Sequence, residues 1–245
     1  MIRLGNNSIC TTARLSPNFD ARSAAISMLV LHYTGMQSAE AALQRLCDTT
    51  AKVSAHYLVD ETAEVFLLVP EEQRAWHAGI AYWRGETDIN NISIGIEIVN
   101  GGHDFGLPAF ADAQINAVIR LCQQLQQHYH IQPANIVGHN EIAPARKLDP
   151  GEKFPWAKLA AQGVGLWPGA PDTAGQAVIR PEQFAIAKQA LQDIGYASHD
   201  IPFDGSAQHC LIAEFQRRYL PDQVDGCLNT QTFAQICKLA ALINS

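Results

Sequence analysis

The chain reads as an α/β domain with a small three-helix bundle at its C-terminal end. Apolar stretches of strand length alternate with amphipathic helical stretches up to about residue 162, the pattern of a sheet flanked by helices. A stretch rich in Gly and Pro, residues 163–175 (GVGLWPGAPDTAG), follows as a linker, and three segments of helical periodicity close the chain. At 245 residues the chain can bury one sizeable core and a smaller second one.

Residues 27–34 (SMLVLHYT) form an apolar run that predicts a buried strand. A helix is expected over residues 38–47, opened by a Ser cap. Residues 52–60 (KVSAHYLVD) and 65–70 (VFLLVP) predict two strands joined by a turn at Glu61-Thr62-Ala63. Residues 92–100 (ISIGIEIVN) give a further strand. The strongest helical pattern spans residues 112–129, with Ile115, Val118, Ile119, Cys122, Leu125 and Tyr129 on one face and glutamines on the other. Residues 135–138 (NIVG) add a short strand. Beyond the linker, helices are expected over residues 181–194, 207–219 and 230–243, with the turn-rich VDGCLNT between the last two. Such short helices make a bundle with a modest core.

Composition excludes several classes of function. The formal net charge is −7, so the basic field that nucleic-acid binding requires is lacking, and an anionic membrane surface is disfavoured too. No apolar run approaches the roughly 18 residues of a membrane span. The opening MIRLGNNSIC carries no secretory or lipidation pattern. The six cysteines (Cys10, Cys47, Cys122, Cys210, Cys227, Cys237) are scattered without a CxxC pair and leave the compartment open. Cys47 and Cys122 fall at apolar positions of expected helices and read as buried thiols.

Three places carry chemistry. His32 ends an apolar strand, where a histidine is more often a satisfied core or edge residue than a ligand. His139 ends the short strand NIVG, and Asp149 sits in a Leu-Asp-Pro-Gly turn, where a turn-forming role is the default. Two histidines and a carboxylate, with one position left open, nonetheless form a standard catalytic zinc set. Glu97 lies in the strand ISIGIEIVN, where alternation puts Ile94, Ile96 and Ile98 on one face and Gly95, Glu97 and Val99 on the other. A carboxylate there is costly unless paired or employed, and Gly95 would clear space beside it. Lys147 precedes Asp149 by two residues, on the same side of an extended segment, where an ammonium would be placed to stabilise an oxyanion; alone, it would read as a solvated surface lysine.

The ordered set LVLHYT, SAHYLV, RAWHAG, NISIGIEIVN and GHNEIAPARKLDPG resembles the N-acetylmuramoyl-L-alanine amidases of the bacterial AmpD/AmiD type, relatives of phage-type amidases and peptidoglycan recognition proteins. The resemblance covers about residues 25–165. It implies a central mixed β-sheet flanked by helices, a zinc ion held by His32, His139 and Asp149, a catalytic glutamate at Glu97 and a catalytic lysine at Lys147. His56 matches a position lining the family's site, and Trp76, His77, Ala78 and Asn91 match groove positions where a structural role is an equal reading. A noncatalytic wall-binding protein is the rival, but recognition-only relatives have lost zinc ligands, and this chain keeps all three. A cysteine peptidase would need a Cys-His pair at a strand–helix junction, and no cysteine occupies one.

The closing segment, about residues 180–245, resembles a peptidoglycan-binding three-helix module through LQDIGY, EFQRRY and VDGCLNTQT, with Asn229 where the pattern has its second Gly. These likenesses imply hydrolysis of the amide between the lactyl group of N-acetylmuramic acid, or its anhydro form, and L-Ala of the stem peptide. The substrate would be peptidoglycan or a soluble muropeptide, met in the bacterial envelope, with a cytoplasmic site as the alternative. The linker is expected to act as a tether, the bundle being needed on insoluble wall but dispensable for soluble muropeptide.

Overall fold

A computed structural model of the chain describes residues 11–170, 177–198 and 205–244. Their elements are β1 (Thr11–Ala13), β2 (Phe19–Ala21), β3 (Met28–Tyr33), α1 (Ala39–Cys47), β4 (Tyr57–Val59), β5 (Val65–Leu67), β6 (Gln73–Ala75), α2 (Ile89–Ile92), β7 (Ser93–Ile98), α3 (Asp112–Tyr129), β8 (Ile136–Gly138), α4 (His139–Ile142), α5 (Trp156–Ala160), α6 (Pro181–Ile194), α7 (Ser206–Tyr219) and α8 (Thr230–Ile243). Single 3₁₀ turns lie at His103–Phe105 and Pro133–Asn135.

The main sheet has the order β1-β5-β4-β7-β3-β8. It is mixed, as expected: β4 and β5 pair antiparallel, while β4–β7, β7–β3, β3–β8 and β1–β5 are parallel. β2 and β6 form a separate antiparallel pair. The helix at residue 38 is capped as predicted, the Ser38 side chain accepting from the Ala41 N–H. The strand expected over residues 52–60 shrinks to β4. Lys52 adopts a left-handed φ of 51°, and the Ser54 N–H bonds to Trp76 O instead of a sheet neighbour. The turn at 61–63 forms around Asp60, whose Oδ1 accepts from the Thr62 and Glu64 N–H groups.

β3 explains the layers. Leu29 and Leu31 pack with Ile94, Ile96 and Ile98 of β7 and with Ile115, Val118, Cys122 and Leu125 of α3. Met28 and Val30, on the opposite face by alternation, join Val137 and Ile142 in one cluster with Leu191 and Ile194 of α6, Phe215 of α7 and Leu239 of α8. Parallel strands need both faces covered, and here the closing helices cover the second. The bundle therefore has no separate modest core; its apolar side is the other half of the sheet's own. Farther along that same face, Ala42, Leu43 and Leu46 of α1 cover Leu58 of β4.

The expected tether also packs down over its described part. Val164 is buried, the Trp167 and Tyr219 rings lie 5.9 Å apart, and Gln235 Nε2 donates to Gly169 O at 3.0 Å. Residues 171–175 of that segment lie outside the described residues, as does Cys10. The five described cysteines are free. Cys122 is buried as expected, but Cys47 is half-buried, its thiol directed at Arg14 O. Among the described residues no helix is long and apolar enough to cross a membrane.

Candidate metal centre

Parallel pairing brings the site together. β3, β7 and β8 run the same way, so their C-terminal ends share one edge, where α/β sheets place their sites. His32 pairs in register with Glu97 on β7. Gly138, the last residue of β8, pairs with Leu31, so His139 follows directly beside His32. The Asn140 N–H donates to Asp149 O at 2.9 Å and closes the 140–149 loop, returning Asp149 to His139.

The three predicted ligands converge. His32 Nδ1 and His139 Nδ1 are 2.9 Å apart, and each lies 3.0 Å from Asp149 Oδ2. All three residues are buried. The outer ring nitrogens decide which tautomers are present. Ser93 donates its hydroxyl to Ile89 O at 2.6 Å, so its Oγ is left to accept from His77 Nε2, 3.2 Å away. His77 Nδ1 then accepts from His32 Nε2 at 3.1 Å. His139 Nε2 donates to Ala78 O at 3.0 Å. Both inner Nδ1 atoms are thereby lone pairs facing a carboxylate oxygen, a buried cluster of acceptors that calls for a cation.

Protonation fits the same account. Burial, then the neighbouring His139, lowers His32 from 6.5 to about 4. Burial pushes the Asp149 carboxyl up, but the adjoining His139 and His32 outweigh it and hold it well below the usual carboxylate range. Both shifts favour the deprotonated forms of His32 and Asp149 that metal ligation requires. Two imidazoles and one carboxylate fit a metal ion with an open coordination position.

Glu97 and Lys147 line the same cavity, of about 500 Å³. Glu97 Oε2 is buried with no hydrogen-bond partner among the described residues. Burial, with the Asp149 charge, raises its pKa well above the ordinary value, against an opposing pull from Lys147. The cavity is bordered on one side by Ala42, Arg45 and Leu46 of α1, and no residue of the closing helices lines it.

Trp76 and His77 border the cavity. Trp76 Nε1 donates to Asp20 at 2.7 Å, and His77 also backs His32. His56 and Asn91 stand apart from it. His56 is fully buried, its Nδ1 accepting from the Gly95 N–H at 3.0 Å, with Nε2 3.1 Å from Gln73 O, so it pins β7 in place. Asn91 clasps Ser23, accepting from its N–H and donating to its Oγ, both at 2.9 Å. The space above Gly95 belongs to His77, not Glu97: a Cβ there would lie 2.4 Å from His77 Cγ.

Two cavity residues escaped the sequence reading. Arg146 donates to Ala78 O and Ile80 O at 2.6 and 2.7 Å; it stands inside the run that carries His139 and Asp149 and could have been found there. His103 accepts from Tyr33 Oη at 3.0 Å. Its signal was the GGHDFG turn directly after a strand whose C-terminal end faces the site.

Fold and donor set together define a metal-dependent hydrolase. The chain belongs to the N-acetylmuramoyl-L-alanine amidase family, whose model matches residues 22–152. The N-acetylmuramoyl-L-alanine amidase AmiD of Escherichia coli is 40% identical over 227 residues, 85% of this chain and 80% of AmiD. The 1,6-anhydro-N-acetylmuramyl-L-alanine amidase AmpD of Citrobacter freundii is 40% identical over 110 residues, 45% of this chain and 57% of AmpD. The structure of E. coli AmiD with the substrate anhydro-N-acetylmuramic acid-L-Ala-D-γ-Glu-L-Lys superposes with a TM-score of 0.77 at 37% identity, over 91% of this chain and 92% of that one. AmpDh3 from Pseudomonas aeruginosa superposes with a TM-score of 0.77 at 32% identity, over 100% of both chains. The activity expected from the motifs, an amidase, is that of the family.

Proposed function

We propose that the protein is a zinc-dependent amidase that hydrolyses the bond between the lactyl carbonyl of N-acetylmuramic acid, or its anhydro form, and L-Ala of the stem peptide. The observation that carries this reading is the meeting of His32, His139 and Asp149 with an unpartnered Glu97 in one cavity. Zinc held by His32 Nδ1, His139 Nδ1 and Asp149 Oδ2 would polarise the amide carbonyl and acidify water. Glu97 takes the proton of the attacking water and returns it to the departing L-Ala nitrogen as the C–N bond breaks. Its raised pKa suits a group that must hold a proton between those steps. The Lys147 ammonium stabilises the charge that develops on the carbonyl oxygen. The products are a lactyl carboxylate and a free stem peptide.

Residues 176–245 would serve as a peptidoglycan-binding domain beside a catalytic domain of residues 1–162, a reading supported by LQDIGY, EFQRRY and VDGCLNTQT. A second contact with wall polymer favours action in the bacterial envelope. Mass spectrometry of products from purified sacculi and from soluble anhydro-muropeptide, alongside metal analysis, tests the whole reading. About one zinc per chain is expected, with release of stem peptides that begin at L-Ala. Full turnover in metal-free protein, or cleavage at another bond, would refute it.

A further inference from the structure

We propose that α7 positions the metal-bearing loop through Arg217 and Glu214, so that the closing helices complete the metal centre. This rests on the metal reading of His32, His139 and Asp149. The loop has little structure of its own: α4 spans four residues, and the chain from there to Asp149 holds no further element. Two of its buried polar side chains, Asn140 and Glu141, are met from α7, the second by Arg218. Asn140, next to ligand His139, donates from Nδ2 to Glu214 Oε2 at 3.0 Å, while its main-chain N–H holds Asp149 O. Arg217 Nε donates to that same Glu214 Oε2 at 2.9 Å.

The other end of the guanidinium reaches the far side of the site. Arg217 Nη1 donates to Glu152 Oε2, three residues beyond ligand Asp149. His103 Nε2 donates to that oxygen at 3.0 Å, and its Nδ1 accepts from Tyr33 Oη at 3.0 Å. Tyr33 follows ligand His32. One arginine thus ties together segments adjoining all three ligands. Its side chain is 11% exposed and that of Glu214 4% exposed, a setting in which charge-assisted hydrogen bonds are strong and geometrically exacting. Since α7 does not line the cavity, Arg217 is a positioning residue and not a catalytic one. Residues supporting metal ligands from outside typically change metal affinity by about 10–100-fold.

The experiment uses the full chain carrying Arg217→Ala, Arg217→Lys or Glu152→Gln. Zinc affinity is read by chelator competition, metal-free melting temperature by circular dichroism, and kcat and KM on soluble anhydro-muropeptide. Arg217→Ala is expected to weaken zinc binding about 10–100-fold, with kcat lowered at limiting zinc and recovered at excess. Arg217→Lys, able to meet one carboxylate but not both, should fall between. Glu152→Gln, on the loop side and partly exposed, should weaken zinc in the same direction, and it stands as the deciding variant should Arg217→Ala not fold. Wild-type zinc affinity in folded Glu152→Gln and Arg217→Lys would overturn the proposal and leave the metal reading intact. A wild-type chain that binds no zinc would overturn both.

Discussion

Single residues here have roles set by which of their atoms lack a partner. Glu97 lies outside the His32, His139 and Asp149 cluster, and its Oε2 has no hydrogen-bond partner among the described residues. Glu97→Gln should therefore keep the metal while lowering kcat by about 10²–10⁴-fold, the usual range for a general acid–base group; zinc content and turnover measured on one preparation check it. His56 has the opposite character: both ring nitrogens are engaged, and burial, then the nearby Arg22, lowers it from 6.5 to about 3. In the unfolded chain it gains a proton as pH falls through 6.5, but in the folded chain only near 3. The unfolded state binds more protons across that window, so stability is present above pH 6.5 and is lost as pH falls, by about 1.4 kcal/mol per unit for this one group. Urea denaturation between pH 7 and pH 4.5 should show a steeper loss for wild type than for His56→Gln. Parallel curves would mean that His56 is not held neutral.

At the scale of elements, β7 was legible and its neighbours were not. Its alternation assigned the faces of Ile94, Ile96, Glu97 and Ile98 from sequence alone, and the register with β3 sets Glu97 opposite His32 as those faces require. What occupies the space above Gly95 was not legible, because the occupant is His77, 18 positions earlier in sequence and on no regular element. Gly95→Ala would place a methyl within 2.4 Å of the His77 ring. The ring must shift, weakening its bond to His32 Nε2. We expect a stability loss of about 1–3 kcal/mol, as for overpacked cores, together with weaker zinc binding; denaturant midpoint and chelator competition measure the two. A stable variant of unaltered zinc affinity would show that the His77 contact does not hold His32. The short strands β1, β2 and β6 escaped prediction for a related reason. Each has three residues with little apolar alternation, and such strands exist only because a partner strand is present.

At the scale of the molecule, the closing helices change from the expected tethered module into a layer of the catalytic fold. Met28, Val30, Val137 and Ile142 face Leu191, Phe215 and Leu239 across one continuous cluster. Arg218 Nη1 meets Glu141 Oε2 at 2.6 Å, with both side chains buried. Removing the segment would uncover that apolar face and leave the Glu141 carboxylate without its cation, each a heavy penalty. The full chain should therefore unfold in one cooperative transition. A chain ending at residue 170 should aggregate or lose cooperative melting, and fail on soluble muropeptide as well as on sacculi. Two separate calorimetric transitions, or a truncated chain that is soluble and fully active on muropeptide, would restore the independent-module picture.

Sequence alone determined the things that depend on local order. Residue identities in five ordered motifs named the family and the three residues that converge as the candidate metal centre, and periodicity placed α3, α6 and α8 at their observed ends. Tertiary structure decided what depends on distant partners. His32 meets His139 across 107 positions and Asp149 across 117, a convergence produced by parallel strands that end at one edge. It also decided which apolar surface the closing helices would cover. Their periodicity specifies a buried face but not its occupant, and only the doubly covered sheet, with both faces of β3 apolar, supplies one.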